Sequence, residues 1–320
     1  MSNGMPRFSI IITVYNRSEL LRQAIDSACA QTFADREIIV VDDASTDDTP
    51  DVIRGYGDKI QVVTHATNQG CEVAYISGAA AARGDYFVFL DSDDLMFPWA
   101  LDTYEFVLGC CEQPALLVSR LAVFSNVAPV PSPEEPGDSV AVVVFKDYLS
   151  RDRNIQSSLS MVVVRRDVYA QSGGFRHSTA LTFNGSDHDF LLRVGCHGPA
   201  VLLERPRTVA YRVHQSNSVR SLRRVVEGIT RLIVAERRGS YPGGWKRLLD
   251  RRAVIGNQTY WWSRCALLDR KPWLATRLLF IGFDMVLLRL IKRLQISIRG
   301  LIPTTKLQRG QPAQPIHPSP

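Results

Sequence analysis

The chain alternates short, wholly apolar runs with longer segments in which apolar residues recur at helical spacing. "FSIIITVY" (8–15), "EIIVVDD" (37–43), "KIQVVTHA" (59–66) and "DYFVFLD" (85–91) are too short for helices. They are rich in β-branched and aromatic residues and read as buried strands. Between them, "SELLRQAIDSACAQT" (18–32), "STDDTPDVIRGY" (45–56) and "CEVAYISGAAAARG" (71–84) read as helices. Ser45 or Thr46 is the expected N-cap of the second and Gly84 the expected C-cap of the third. A βαβαβαβ rhythm with strands apolar on both faces predicts an α/β fold, with a largely parallel sheet covered by helices on both sides.

The pattern then loosens. "SNVAPVPSPEEPGDSV" (125–140) is Pro-rich and reads as an exposed loop. "LSMVVVRR" (159–166) and "RTVAYRVH" (207–214) read as strands, and "SDHDFLLRVGCHG" (186–198) as a helix. From about residue 216 the pattern is helical and basic, and the Pro/Gln-rich end predicts a disordered tail. The expected organisation is a catalytic domain over 1–219, a basic amphipathic helical region over 220–300 and a tail over 301–320. There is no internal repeat.

Charge sharpens that division. Residues 1–214 hold 18 Lys/Arg against 27 Asp/Glu, whereas 215–320 hold 20 against 5. An acidic body with a basic C-terminal third suggests two tasks. On a helical wheel of 273–294, Arg277, Asp284, Arg289, Lys292 and Arg293 share one half. Leu279, Phe280, Phe283, Val286, Leu287, Leu290 and Leu294 fill the other. Charges inside the segment argue against a span, since each costs about 2.5–3.5 kcal/mol at the bilayer centre. The expectation is a helix lying on an anionic membrane, flanked by Trp261, Trp262 and Trp273; the alternative is a helix packing its apolar face on the catalytic domain. The six cysteines form no CxxC or zinc-like spacing, which suits a reducing compartment. The first ten residues show no basic-then-apolar signal pattern, so export is not expected. The expected location is cytoplasmic, at the inner face of the plasma membrane, with no nucleic-acid partner.

The chemistry should lie beyond the carboxyl ends of the parallel strands. Tyr15, Asn16 and Arg17 follow the first strand, Asp42 and Asp43 the second, and Asp91, Ser92, Asp93 and Asp94 the fourth. Three carboxylates within four residues repel one another and resist desolvation. A divalent cation, Mn²⁺ or Mg²⁺, compensates such a cluster and carries phosphates with few protein ligands. No GxGxxG follows the first strand, so a glycine-cradled dinucleotide is not indicated.

The ordered series "IITVYNR", "EIIVVDDASTDDT", "GAAAARGDYFVFLDSDD", "VVVRRDVYAQSGGF", "SDHDFLLRVGCHG" and "YRVHQSNSV" resembles the bacterial family 2 glycosyltransferases of GT-A fold over about residues 7–219. The resemblance implies transfer of a sugar from a nucleotide-diphosphate sugar, with a UDP-sugar as the expected donor and inversion at the anomeric carbon. It implies that Thr13 and Tyr15 line the nucleotide pocket and that Asp43 accepts from the uracil ring. Asp91 and Ser92 would contact the donor's ribose or the metal's waters, Asp93 would ligate the metal, His214 would close over the metal or diphosphate, and Asp187 would be the catalytic base. The acceptor would be a glycan or lipid-linked hydroxyl in polysaccharide or cell-envelope synthesis. Two positions depart from the family: Tyr75 stands where Arg is frequent and Ile76 where Asn is usual. No QxxRW follows, which favours single additions over a processive polymer. Asp94 is expected to cap the following helix; an alternative to the catalytic role has Asp187 capping its helix while Asp189 faces solvent. The alternatives are a catalytically silent nucleotide-sugar-binding module at the membrane, a DxD phosphohydrolase, and nucleic-acid binding by the basic third.

Overall fold

A computed structural model describes residues 5–125, 137–155, 158–176, 185–214, 217 and 220–309. In chain order the elements are β1 (Phe8–Val14), α1 (Ser18–Cys29), β2 (Arg36–Asp42), α2 (Thr49–Arg54), β3 (Gln61–Thr64), α3 (Cys71–Ala81), β4 (Tyr86–Asp91), β5 (Leu95–Met96) and α4 (Ala100–Cys110). There follow β6 (Leu116–Ser119), β7 (Leu121–Ser125), β8 (Ser139–Phe145), β9 (Val162–Arg165), α5 (Arg166–Gln171), α6 (Ser186–Val194), β10 (Ala200–Arg205) and β11 (Val209–Val213). The chain ends in α7 (Leu222–Arg237), α8 (Leu248–Leu268), α9 (Pro272–Arg299) and β12 (Thr305–Gln308).

A nine-stranded sheet runs in the order β12-β8-β10-β6-β9-β4-β1-β2-β3. β1 lies parallel to β2 on one side and to β4 on the other. The chain therefore winds outward from β1 to β3, then returns to the far side of β1. That reversal opens a crevice at the carboxyl ends of β1 and β4, the ordinary ligand position of an open parallel sheet. Strand residues alternate between faces: Ile10, Ile12, Val88 and Leu90 meet α1 and α4, while Ile11, Phe87 and Phe89 meet Tyr75, Phe175 and Phe190. Both faces are buried, which is why these runs are apolar throughout. β3 is the edge and is mostly exposed.

Beyond β4 the sheet is mixed: β9 is antiparallel to β4 and β6, and β8 antiparallel to β10 and β12. A small second sheet, β5-β11-β7, crosses the crevice and brings the end of β11 over the end of β4.

Local expectations are corrected at several places. The second helix starts at Thr49, with its amide held by Asp47 Oδ1, and neither Ser45 nor Thr46 caps it. Ser45 instead accepts from Asn16 N, tying the loops after β1 and β2 together. α3 ends at Ala82, not Gly84. Gly84 is needed because a Cβ there would collide with Ser9. Thr305–Gln308 pair with the edge of β8 and bury Leu307, where a disordered tail was expected over 301–320; residues 310–320 lie outside the described ones, as does most of the Pro-rich 125–140 stretch.

α7, α8 and α9 share a core of Val226, Ile229, Ile233, Ile255, Leu278 and Met285. Gly256 lets α8 approach the α9 backbone at Met285. α9 packs Leu274, Leu278 and Met285 inward, but charged side chains share that side. Arg289 is buried, Lys292 pairs with Asp250, and Asp284 pairs with Arg237 and Arg252. Phe280, Phe283 and Leu294 are 86%, 68% and 62% exposed. Among the described residues no helix is long and apolar enough to cross a membrane.

Candidate active site

The crevice floor is the turn after β4. Asp91, Asp93 and Asp94 offer carboxylate oxygens that all lie within 4.8 Å of one another. Each is held differently. Asp91 Oδ1 accepts from the Tyr75 hydroxyl at 2.5 Å, and its amide donates to Ser160 Oγ at 3.0 Å. Asp94 accepts the Arg212 amide at 2.9 Å and the Ser160 hydroxyl at 2.6 Å. It is therefore no helix cap; Trp99 takes that position at α4. Asp94 joins the two sheets, because its partners sit before β9 and on β11.

Asp93 Oδ2 lies 2.5 Å from an Arg17 terminal nitrogen and 2.8 Å from His214 Nε2. Arg17 comes from the loop after β1, where Asn16 adopts a left-handed φ of 52° that asparagine tolerates. His214 follows β11, and its amide donates to Asn217 Oδ1. Arg212 threads beside them: Nε donates to the Asp93 carbonyl, and the guanidinium lies over the Phe124 ring.

The electrostatics follow from this crowding. Burial and then the Asp93 charge push the Asp91 carboxyl up to about 6, against hydrogen bonds from Tyr75 and Ser160. Burial, Asp91 and Asp93 push Asp94 well above the carboxylate range. The Tyr211 hydroxyl is raised by burial and then by Asp94, Asp91, Asp93 and Asp187 together. Asp187 Oδ1 accepts the His188 amide at 2.8 Å, and its other oxygen has no partner among the described residues. Asp189, which the capping alternative put in solvent, turns inward: it pairs with Arg193 and accepts from the Tyr241 hydroxyl at 2.9 Å.

Asp43 is buried and fully engaged, by His65 Nδ1 at 2.7 Å and the Gln69 and Gly70 amides at 2.9 and 2.8 Å. It shapes the entry to α3 rather than serving as a charge on α2. Thr13 is buried near Tyr75, Tyr15 is exposed at the mouth, and Ser92 is buried in the acidic turn. The structure thus gathers Asp91, Ser92, Asp93 and His214 at one place, with Asp43 at the neighbouring strand end, and puts Asp187 in the first turn of α6.

Sequence reasoning missed Ser160, Tyr211 and Arg212 as members. Tyr211 and Arg212 sit inside "YRVH", a strand-end cluster of polar groups that was the available signal. Nothing in "LSMVVVRR" distinguishes Ser160. Ser160→Ala is expected to lower stability by about 1–3 kcal/mol, the cost of leaving buried carboxyls unpaired. Urea unfolding reads it as a lower midpoint with unchanged slope; an unshifted midpoint would refute the bridging role.

The site fits a divalent cation. Its donors are hard oxygens in close reach with an imidazole beside them, and the two raised carboxyls mark negative charge that the protein leaves undercompensated.

Residues 9–107 match the family model described as glycosyl transferase family 2. An uncharacterized glycosyltransferase of Rickettsia typhi is 47% identical over 93 residues, 29% of this chain and 29% of that protein. Another, of Haemophilus influenzae, is 28% identical over 211 residues, 65% of each. Less than two thirds of either curated relative is therefore covered. In architecture the chain is similar to S. aureus TarS in complex with UDP-GlcNAc, with TM-score 0.57, 14% identity and 92% of each chain covered. It is also similar to the mannosyltransferase PcManGT from Pyrobaculum calidifontis in complex with GDP-Man and Mn²⁺, with TM-score 0.56, 17% identity, and 91% of this chain and 88% of that one covered. At those identities the likeness is one of fold.

Proposed function

We propose that the chain, whose residues 9–107 match the family 2 glycosyl transferase model and whose fold is similar to that of TarS, transfers a sugar from a nucleotide-diphosphate sugar, UDP-linked in the first instance, to an acceptor hydroxyl with inversion. The observation that carries this is the convergence of Asp91, Asp93 and Asp94 with Arg17 and His214 at the sheet's switch point. Asp93 and His214 would hold the cation, with Asp91 oriented by Tyr75 beside it. When bound, the cation neutralises charge on the departing diphosphate, an effect strongest in a water-poor cleft.

The chain's own groups supply the rest. Arg17 adds a positive charge at the same carboxylate, facing the crevice where the diphosphate lies. Asp43 and Thr13 flank the nucleoside side, with Tyr15 at the mouth. Asp187 keeps an oxygen available to take the acceptor's proton, and Asp189, tied to Arg193 and Tyr241, fixes the helix that carries it. Attack from the Asp187 side opposite the leaving group inverts the anomeric carbon. The acceptor class we infer is a glycan or lipid-linked hydroxyl of the cell envelope.

The test is Mn²⁺-stimulated release of UDP from UDP-sugars, and of GDP from GDP-mannose, by the intact chain. Donor binding by calorimetry without turnover on any acceptor would instead support the silent module.

The α9 stripe supports a peripheral membrane site on an anionic bilayer. A contiguous row of Phe280, Phe283, Leu287, Leu290 and Leu294 is left exposed by the described residues, and such patches mark interaction surfaces. Exposed Arg270, Lys271, Arg277 and Arg299 and exposed Trp261 and Trp273 surround it, the combination that favours anionic headgroups and the interface. Phe280→Ser with Phe283→Ser should weaken co-sedimentation with phosphatidylglycerol vesicles at least about a hundredfold, given about 1.5–3 kcal/mol per buried Phe. Unchanged sedimentation, or a dimer that the double variant dissolves, would rule the lipid assignment out.

A further inference from the structure

Away from the acidic crevice, a cavity of about 180 Å³ lies between the 149–154 segment, α8 and the inner side of α9. Its walls carry Arg151, Arg153, Arg289, Lys292 and Arg293 against Asp152 and Asp250. The acids are already committed: Asp152 pairs with Arg153, and Asp250 with Lys292 and Arg247. That leaves Arg151, Arg289 and Arg293 with no carboxylate partner among the described residues. Arg151 donates to the Tyr148 carbonyl and lies over that ring.

Arg289 is the decisive residue. It is only 6% exposed. Its Nε donates to Asn257 Oδ1 at 2.7 Å, and its guanidinium lies 4.0 Å from the Tyr260 ring centroid. Neither partner is an anion. A desolvated cation–π contact returns about 2 kcal/mol, whereas withdrawing an unpaired ion from water costs several. Burial first, and then the Arg293 charge, push the Arg289 guanidinium below its ordinary range.

We infer that this cavity is a binding site for a phosphate-class oxyanion, received by the Arg289 guanidinium with Arg293 and Arg151 at its rim. A planar guanidinium presents paired N–H donors that match two phosphate oxygens, and three unpaired cations suit a dianion better than a carboxylate. The site shares no residue with the carboxylate crevice and does not depend on the transferase assignment. On α9 the cavity residues lie opposite the exposed apolar stripe, so a lipid bound by that stripe does not reach the cavity along the same face.

The full chain is titrated with inorganic phosphate by calorimetry in metal-free buffer. Arg293→Gln alters an exposed side chain that makes no contact the fold needs, and Arg289→Gln removes the buried one, with circular dichroism checking its folding. One saturable site, weakened at least about tenfold in both variants, is the expected result. A parallel arm compares sedimentation with phosphatidic-acid and phosphatidylcholine vesicles. Loss of phosphatidic-acid binding in Arg293→Gln identifies a headgroup phosphate, and unchanged sedimentation with weakened phosphate binding identifies a free anion. Phosphate binding that is absent in the native chain, or equal in native chain and Arg293→Gln, overturns the proposal. Turnover enters neither arm, so failure here leaves the sugar-transfer proposal untouched, and the converse holds.

Discussion

Asp93→Ala is expected to abolish metal-stimulated sugar-nucleotide turnover, with a loss of at least about 10³. That factor follows from the several kcal/mol a cation contributes to a developing anionic charge. The geometry makes the effect specific. Asp93 is the carboxylate on which Arg17 and His214 converge, at 2.5 and 2.8 Å. Removing it frees two groups from their shared anion as well as removing a ligand. Asp93→Asn keeps the volume and one oxygen, so it should fold as the native chain does while apparent Mn²⁺ affinity falls with turnover. Steady-state kinetics across a Mn²⁺ titration distinguishes ligation from a merely structural part. Native turnover in the alanine variant would remove the basis for every catalytic assignment at the crevice.

The second large effect is at α6. Asp187→Asn should lower turnover by about 10²–10⁴, the usual contribution of a positioned general base. Donor binding and Mn²⁺ stimulation should stay unchanged, because among the described residues Asp187 hydrogen-bonds its neighbour's amide alone. Asp189→Asn makes the contrast. Asp189 holds buried Arg193 and the Tyr241 hydroxyl, and stripping the charge from one partner of a buried pair costs about 3–5 kcal/mol. That variant should lose thermal stability and retain turnover at low temperature. The opposite pattern, an active Asp187→Asn and a stable but inactive Asp189→Asn, would move the base by one helical step.

The two acids of "SDHDF" show where sequence reasoning stops. Both lie in the first turn of a helix, and spacing alone does not say which turns inward. Tyr241, fifty-two residues on, decides it by taking Asp189. Asp94 is the same case. A carboxylate shortly before a helix reads as a cap, but its partners are Ser160 and Arg212, on elements that no local pattern links to β4. Tyr75, legible only as a departure from the family, holds Asp91. α9 is a further instance: its two halves were plain in the sequence, yet which one faced the protein was not. Asp250, Arg237, Arg252 and Asn257 supply polar partners, and so Asp284, Arg289 and Lys292 lie toward the protein beside Leu278 and Met285 while Phe280, Phe283 and Leu294 face out.

What the sequence determined by itself is the parallel core and the position of its acidic rim. Strands buried on both faces must be apolar throughout, and the chain's order of strands and helices sets which loops share an edge. The tertiary structure alone decided what each rim carboxylate touches. A side chain's partner is set by distance in space, and the groups that chose here — Arg17, Ser160, Arg212, His214, Tyr241 — come from loops and strands far apart along the chain. Local periodicity carries no record of such pairings.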